Sequence, residues 1–401
     1  MAKRKVLLIG WRPEAVAALR RLGAEVTCVL AAGDDALRAG LLDDARAIAV
    51  PDASSAESVL AGLTRYDLRP QDFDVVCSEF EFTLVTAAVL GGSRSPMTPG
   101  DALALRDKDL QKRRIRSAGI PVADTRFVVR PGDLARVPYE RGVVKPLANS
   151  ATRGVHAWHG EEERAELTRR LRAEDGPWLA EAWVDGAELH IDGVVRHGDV
   201  VFVSVGRYLQ NVLSIRDGGV VASVVRHPGR FPGLYGRARE FAAHAMKALG
   251  HHDGVFHMEV FDQGDRLVFG ECGGRIPGGS FDEMIRLQHG VDLHEEWARA
   301  VLDLEPGVAP SVAESSFGDV FLTTAPGTLR SCPSEPEVAA QEGVWYVSVR
   351  ARPGDRMPDA RQASCAIAGT AVVEGRDEEE AADRIRCLAR WFTEESVVAD
   401  A

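Results

Sequence analysis

Several charged residues in this chain interrupt sequence that is otherwise apolar. Lys145 stands between Val144 and Pro146 at the end of an apolar run, and lysine is rarely buried without a partner. Glu181 follows Trp178-Leu179-Ala180 and precedes Trp183. Glu259 alternates with Val255, His257 and Phe261 on one face of a predicted strand, and Glu271 shares a face with Leu267 and Phe269. A buried, unpaired carboxylate is costly, so each of these acids needs a compensating charge. A magnesium ion is one compensation, and the guanidinium of Arg275 is the other. The segment Asn149-Ser150-Ala151-Thr152-Arg153-Gly154 is small and polar and ends in glycine. Backbone N–H groups in such a loop can approach phosphate oxygens closely. Cations, paired carboxylates and a covering loop are the parts that hold a polyphosphate on a metal ion and keep water from what forms there.

These residues need elements to position them. Residues 5–10 read as a buried strand, followed by a helix over Pro13–Leu22 and a second strand over Glu25–Leu30. Phe73–Cys77 is a further strand, with a helical stretch to Leu90. This alternation predicts a parallel sheet with crossover helices. Gly91–Gly100, rich in Gly, Ser and Pro, reads as a boundary. Asp101–Ala118 is a predicted helix stopped by Gly119. Strands are expected at Val143–Pro146, Trp178–Val184, Glu188–Val195 and Val200–Tyr208, and helices at Glu161–Arg172 and Arg237–Leu249. Val255–Phe261 and Arg266–Glu271 form a predicted hairpin. Glu259 and Glu271 share a sheet face only if an odd number of residues connects their strands, so a three-residue loop, Gln263-Gly264-Asp265, is expected. After Leu304 come short strands and turns, then a helix over about Asp377–Phe392.

The chain has 401 residues, 45% hydrophobic and 27% charged, enough for two or three folded domains. Its formal net charge of −12 argues against nucleic acid as a partner. No apolar run approaches the roughly 18–20 residues of a membrane span. The opening reads as a first strand rather than a secretory leader. The six cysteines, Cys28, Cys77, Cys272, Cys332, Cys365 and Cys387, show no CxxC spacing, and reduced thiols in the cytoplasm are expected. The first strand is followed by Gly10-Trp11-Arg12-Pro13 instead of G-x-G-x-x-G, which removes the main support for a nicotinamide oxidoreductase.

In chain order the motifs are Asp107-Lys108 before Ala118-Gly119-Ile120-Pro121, Lys145 before the loop 149–154, and Glu181-Ala182-Trp183-Val184 before Gly186-Ala187-Glu188. His257-Met258-Glu259, Glu271-Cys272-Gly273-Gly274-Arg275 and Pro277-Gly278-Gly279 follow. This order resembles the ATP-grasp superfamily, especially its carboxylate–amine ligases, including L-amino-acid ligases that form dipeptides. The resemblance covers residues 5–300 well and the rest more loosely.

The resemblance implies an α/β fold in three parts. Residues 1–100 are a parallel-sheet domain. Residues 101–305 are the ATP-grasp core, with a lid subdomain near 122–184. Residues 306–401 are an α+β cap. It implies ATP and magnesium, with manganese as a substitute, small-molecule carboxylate and amine substrates, and the homodimer common in the family. Lys108 and Lys145 would contact ATP phosphates under a lid that includes Ser150, Arg153 and Gly154. Glu181 and the backbone of Ala182, Trp183 and Val184 would hold adenine, and Glu188 the ribose. Glu259 and Glu271 would ligate metal, and Arg275 would contact the transferred phosphate. Arg275 and Lys145 are the catalytic candidates. Gly273 departs from the asparagine often found two residues after the second metal glutamate. Taken without the family frame, Lys108 reads as a solvated helix residue and His257 as a structural histidine. Glu79 and Glu81 are placed near a substrate, and Arg207, Arg216 and Arg226 either clamp a carboxylate or face solvent. The alternatives are a carboxylase or purine-type ligase of the same superfamily, or a nucleotide-binding protein without turnover.

Overall fold

The computed structural model describes residues 3–32, 46–362, 364 and 366–399. Strands β1 (Lys5–Ile9), β2 (Glu25–Ala31), β3 (Arg46–Val50) and β4 (Val75–Cys77) form a parallel sheet in the order β3-β2-β1-β4. Their near-continuous apolar sequence is buried on both faces, as crossover helices require. The helix Leu293–Val301 packs Leu293, Trp297 and Val301 into one core with Val6, Leu8 and Leu19, which ties this sheet to the rest of the molecule.

A second sheet comprises β5 (Thr125–Val128), β6 (Arg141–Pro146), β7 (His156–His159) and β8 (Trp178–Ala182), antiparallel in the order β5-β8-β6-β7. Then come β9 (Ala187–Arg196), β10 (Asp199–Tyr208), β11 (Ala222–Val225), β12 (Gly254–Asp262) and β13 (Leu267–Gly273). They are followed by β14 (Ser316–Leu322), β15 (Gly327–Ser331), β16 (Val344–Val349), β17 (Arg356–Met357), β18 (Gly369–Gly375) and β19 (Val397–Ala399). Eight of these build one antiparallel sheet, β13-β12-β9-β10-β11-β14-β18-β16, and β17-β15-β19 form a small third antiparallel sheet. The helix Pro232–Leu249 covers one face of the large sheet with Ala238, Ala242, Met246 and Leu249. Among the described residues no helix is long and apolar enough to cross a membrane. The described cysteines form no disulfide, and Cys365 lies outside the described residues.

Three local expectations are corrected. The stretch Asp101–Ala118 is two helices, Pro99–Ala104 and Lys108–Ser117. Asp107 breaks the run because its carboxylate caps the second helix, accepting from the Leu110 N–H at 2.8 Å. The helix expected from Arg237 begins at Pro232, where proline suits the first turn. The hairpin of β12 and β13 has no three-residue loop. Asp262 pairs with Leu267, and the Gln263 N–H bonds Arg266 O at 3.0 Å across Gly264-Asp265. The odd residue is Gly270, bulged between Phe269 and Glu271, which lets Glu259 pair directly with Glu271. Glycine is needed there, since a Cβ would lie 2.7 Å from the Glu259 carbonyl oxygen.

Candidate active site

The helix Lys108–Ser117 presents Lys108 and Lys112 one turn apart on one face. Gln111 pins this helix to β13, donating to Cys272 O at 2.6 Å and accepting from Cys272 N at 2.9 Å. Lys108 is thereby held 3.3 Å from Glu271 Oε2, and its ammonium also donates to Asn149 O at 2.7 Å. Lys145 comes from β6 and lies 3.7 Å from the same Glu271 oxygen. Glu181, on the neighbouring β8, takes Lys145 on Oε1 and Lys112 on Oε2, each at 2.9 Å. Glu259 faces Glu271 across the hairpin, with side chains 27% and 31% exposed, so this end of the cluster opens to solvent.

The electrostatics follow from burial and these partners. Burial pushes the Lys112 ammonium down to about 8, against the charge of Glu181. Burial would also lower Lys145, but Glu181 and Glu271 hold it above the usual lysine range. Burial would raise Glu271, yet Lys108 and Lys145 hold it at about 2. Glu188 is pushed up to about 8, first by burial and then by the charge of Glu259. Three carboxylates thus converge, and burial with the charges of Glu259 and Glu271 makes Glu188 the one that is hardest to ionise. Carboxylate oxygens suit a hard divalent ion, so Glu259 and Glu271 fit magnesium.

Beside this cluster is a pocket walled by Val143, Val184, Leu213, Phe261 and Phe269, with Lys112, Glu181, Glu188 and Asn211 as its polar members and Ala182 and Trp183 on its rim. Glu188 accepts from Val212 N at 2.7 Å at the pocket's edge. The loop containing Ser150, Arg153 and Gly154 starts beside the cluster at Asn149, whose carbonyl accepts from Lys108, and its Arg153 guanidinium lies over the Phe82 ring. Ala151 and Thr152 have positive φ angles of 57° and 56°, and Ser364 N donates to Ala151 O at 3.1 Å. Arg275 donates through Nε to Glu81 at 2.8 Å and through Nη1 to Ile276 O at 3.1 Å. A Cβ on Gly273 would stand 3.2 Å from Arg275 Cγ, so the departure from asparagine leaves this arginine room.

The structure therefore brings Lys108, Lys145, Glu181, Glu259 and Glu271 together, with Glu188 and Arg275 adjoining. Glu79 is fully buried beside Arg12, 3.1 Å from its Nε, and Glu81 engages arginines. Arg226 is committed to Glu378 at 2.5 Å, and Arg216 reaches His156 at 3.3 Å. For Arg207, burial and the charge of Arg226 lower the pKa.

Sequence reasoning missed Lys112, although its i,i+4 spacing from Lys108 was a usable signal. It read His257 as a structural histidine, in line with the Asp192 bond, but missed its buried partners Asp192 and His190. Asp192 joins the Nδ1 atoms of His190 at 2.5 Å and His257 at 2.7 Å, and His190 Nε2 reaches Ser223 Oγ at 2.9 Å. This trio has ligand-type atoms close enough for a metal, but the carboxylate already occupies both Nδ1 positions.

No family model matches the chain. It is 23% identical over 327 residues to an L-arginine-specific L-amino acid ligase of Bacillus subtilis, covering 78% of each protein. Its fold matches an L-amino acid ligase from Bacillus licheniformis with a TM-score of 0.77 at 19% identity, covering 100% of both chains. It also matches an Aspergillus clavatus N5-carboxyaminoimidazole synthase, solved with ADP and an aminoimidazole ribonucleotide, with a TM-score of 0.70 at 20% identity over 97% of this chain and 98% of that one. The chain thus shares the fold of these ligases and is similar in sequence to the B. subtilis L-amino acid ligase.

Proposed function

We propose that this enzyme phosphorylates the carboxylate of an amino acid or small carboxylic acid with ATP, then couples it to an amine to give an amide or peptide bond, ADP and phosphate. The observation that carries this reading is the meeting of Lys108 and Lys145 on Glu271, opposite Glu259, with Lys108 also bonded to Asn149 O at the start of the loop 149–154. In this account the ammonium groups release their hold on Glu271 and turn to the triphosphate. The apolar pocket takes the adenine, with Glu181 accepting from its amino group and Glu188 bonding the ribose. Glu259 and Glu271 would hold a magnesium ion, which would supply neutralisation of phosphate charge.

A carboxylate oxygen attacks the γ-phosphorus, and the bond to the ADP oxygen breaks. Lys145 and Arg275 stabilise the charge on the phosphoryl oxygens. The amine nitrogen then attacks the acyl carbon, the C–O bond to phosphate breaks, and the amine proton passes to solvent. The loop excludes water that would hydrolyse the acyl phosphate. The related sequence of the B. subtilis L-amino acid ligase supports an amino acid as one substrate. The likeness to carboxyaminoimidazole synthase keeps a carboxylase as the second reading. A cytoplasmic setting and a homodimer complete the proposal.

The test is incubation with ATP, magnesium and amino acids singly and in pairs, measuring ADP, AMP, phosphate and coupled product separately. ADP, phosphate and product that require two substrates support the ligase. Bicarbonate-dependent phosphate release would favour the carboxylase, and AMP would contradict both.

A further inference from the structure

The proposed mechanism leaves unused two adjacent side chains that reach the site from the β4–helix loop of the parallel sheet. Glu81 is buried and accepts from Arg106 Nη1 at 3.0 Å on one oxygen and from Arg275 Nε at 2.8 Å on the other. Arg106 donates its second amino group to Ala148 O, at the entry to the covering loop. The ring of Phe82 carries the Arg106 guanidinium 4.5 Å from its centroid and the Arg153 guanidinium, from within that loop, at 5.7 Å. Both ends of the loop and the phosphate-facing arginine therefore meet on one dipeptide.

The residues that flank this dipeptide are firmly held. Thr83 Oγ1 lies 2.8 Å from Ile9 O and 2.7 Å from Ser78 Oγ, and the Phe80 N–H donates to Ser78 Oγ at 2.9 Å. A Cβ on neighbouring Gly10 would stand 2.9 Å from Thr83 Oγ1, so backbone and loop are closely packed. A fixed post with two cations on one ring and two on one carboxylate suits a docking point better than a substrate contact. Two arginines on one carboxylate also leave it no free charge for a substrate amine.

We propose that Glu81 and Phe82 are positioning residues that couple closure of the loop 149–154 to the orientation of Arg275. The proposal rests on the ligase reading above. Docking of Arg153 on Phe82 closes the loop, while Arg106 bridges Ala148 to Glu81, which sets Arg275. Arg275 then keeps its Nη2 edge for the transferred phosphoryl group, because Nε and Nη1 are already engaged. Substrates reacting under an undocked loop would lose acyl phosphate to water.

The test uses the full chain with Phe82→Leu, Phe82→Tyr and Glu81→Gln. Two readouts are compared: product formed per ADP released, and tryptic cleavage after Arg153 with and without a non-hydrolysable ATP analogue and magnesium. Loss of one cation–π contact predicts that Phe82→Leu lowers product per ADP about fivefold and speeds cleavage by a similar factor, with ATP KM little changed. Phe82→Tyr keeps the ring face and recovers most of both. Glu81→Gln lowers kcat about tenfold with ATP KM within about twofold, as expected for a group acting only on the transition state. Parental coupling and cleavage in Phe82→Leu would overturn the proposal, as would a Phe82→Tyr enzyme as damaged as Phe82→Leu. If the analogue fails to slow cleavage in the parent chain, the nucleotide reading itself fails, and that result is separate from the behaviour of the variants.

Discussion

Two charged clusters lie on the same face of the large sheet, only two residues apart along β12, and they are built on opposite principles. Except at His257 Nε2, which lies 3.7 Å from Glu259 Oε1, the network around Asp192 closes on itself. The carboxylate is fully buried, both histidines bond to it, His190 continues to Ser223, and Phe281 stacks on the His190 ring at 4.6 Å. Around Glu271 the network stays open. Lys108 and Lys145 share one oxygen of a partly exposed carboxylate, Glu259 stands opposite, and the Glu188 carboxyl is raised by burial and the charge of Glu259. A buried charge alone therefore does not mark a site. A closed network spends its hydrogen-bonding capacity within the protein, whereas an open one holds charges that a ligand can claim.

The largest effects should separate the clusters by what each loses. Replacing Glu271 with Ala is expected to cut ligase turnover by about a thousandfold. The cost in unfolding free energy should be smaller, about 1–2 kcal/mol, because Glu271 is partly exposed and the two buried lysines keep Glu181 and Asn149 O as partners. Steady-state ADP release and urea denaturation of the same preparation check both halves. Asp192→Asn should do the reverse, costing about 3–5 kcal/mol of stability by leaving a buried imidazolium without its anion.

The pH dependence sharpens this contrast. Burial would lower the His257 pKa, but the Asp192 charge and hydrogen bond raise it from 6.5 to about 9. That pairing stabilises the fold fully below pH 6.5 and is lost as pH rises through 9. Denaturation midpoints measured across this range should fall in the parent and be flatter in Asp192→Asn. A parent curve without that decline would break the account of the closed cluster.

Smaller effects probe the join between pocket and phosphate cluster. Lys112→Met removes one of two ammonium groups from Glu181 and should raise the ATP KM about tenfold with little change in kcat. Gly273→Asn introduces the asparagine expected from the sequence resemblance, yet it crowds Arg275. Activity should fall about three- to tenfold, as expected from a small misplacement of the group proposed to contact the transferred phosphate. Initial-rate kinetics at saturating second substrates measure both.

Legibility in the sequence followed the physics of each part. Lys145, Glu181, Glu259 and Glu271 stood out because each interrupts an apolar strand, and strand alternation placed them on faces. The parallel sheet was readable from alternating strands and helices, although β3 and the second break near Asp107 were not. The hairpin's parity argument identified the right pairing with the wrong device, because a bulge leaves little local signature beyond a glycine. Lys112 was hidden as one more basic residue on a helix rich in them, and its burial depends on Glu181, 69 positions away. Glu81 was placed near substrate, but its partners Arg106 and Arg275 are brought to it only by the tertiary fold.

The most direct measurement of the central claim is isotope transfer. The carboxylate substrate identified in the product screen is labelled with ¹⁸O and turned over with ATP and the amine, and the phosphate and nucleotide are analysed by mass spectrometry. Acyl phosphate formation predicts one ¹⁸O in the released phosphate and none in the nucleotide. Label in AMP, or phosphate free of label alongside coupled product, would contradict it.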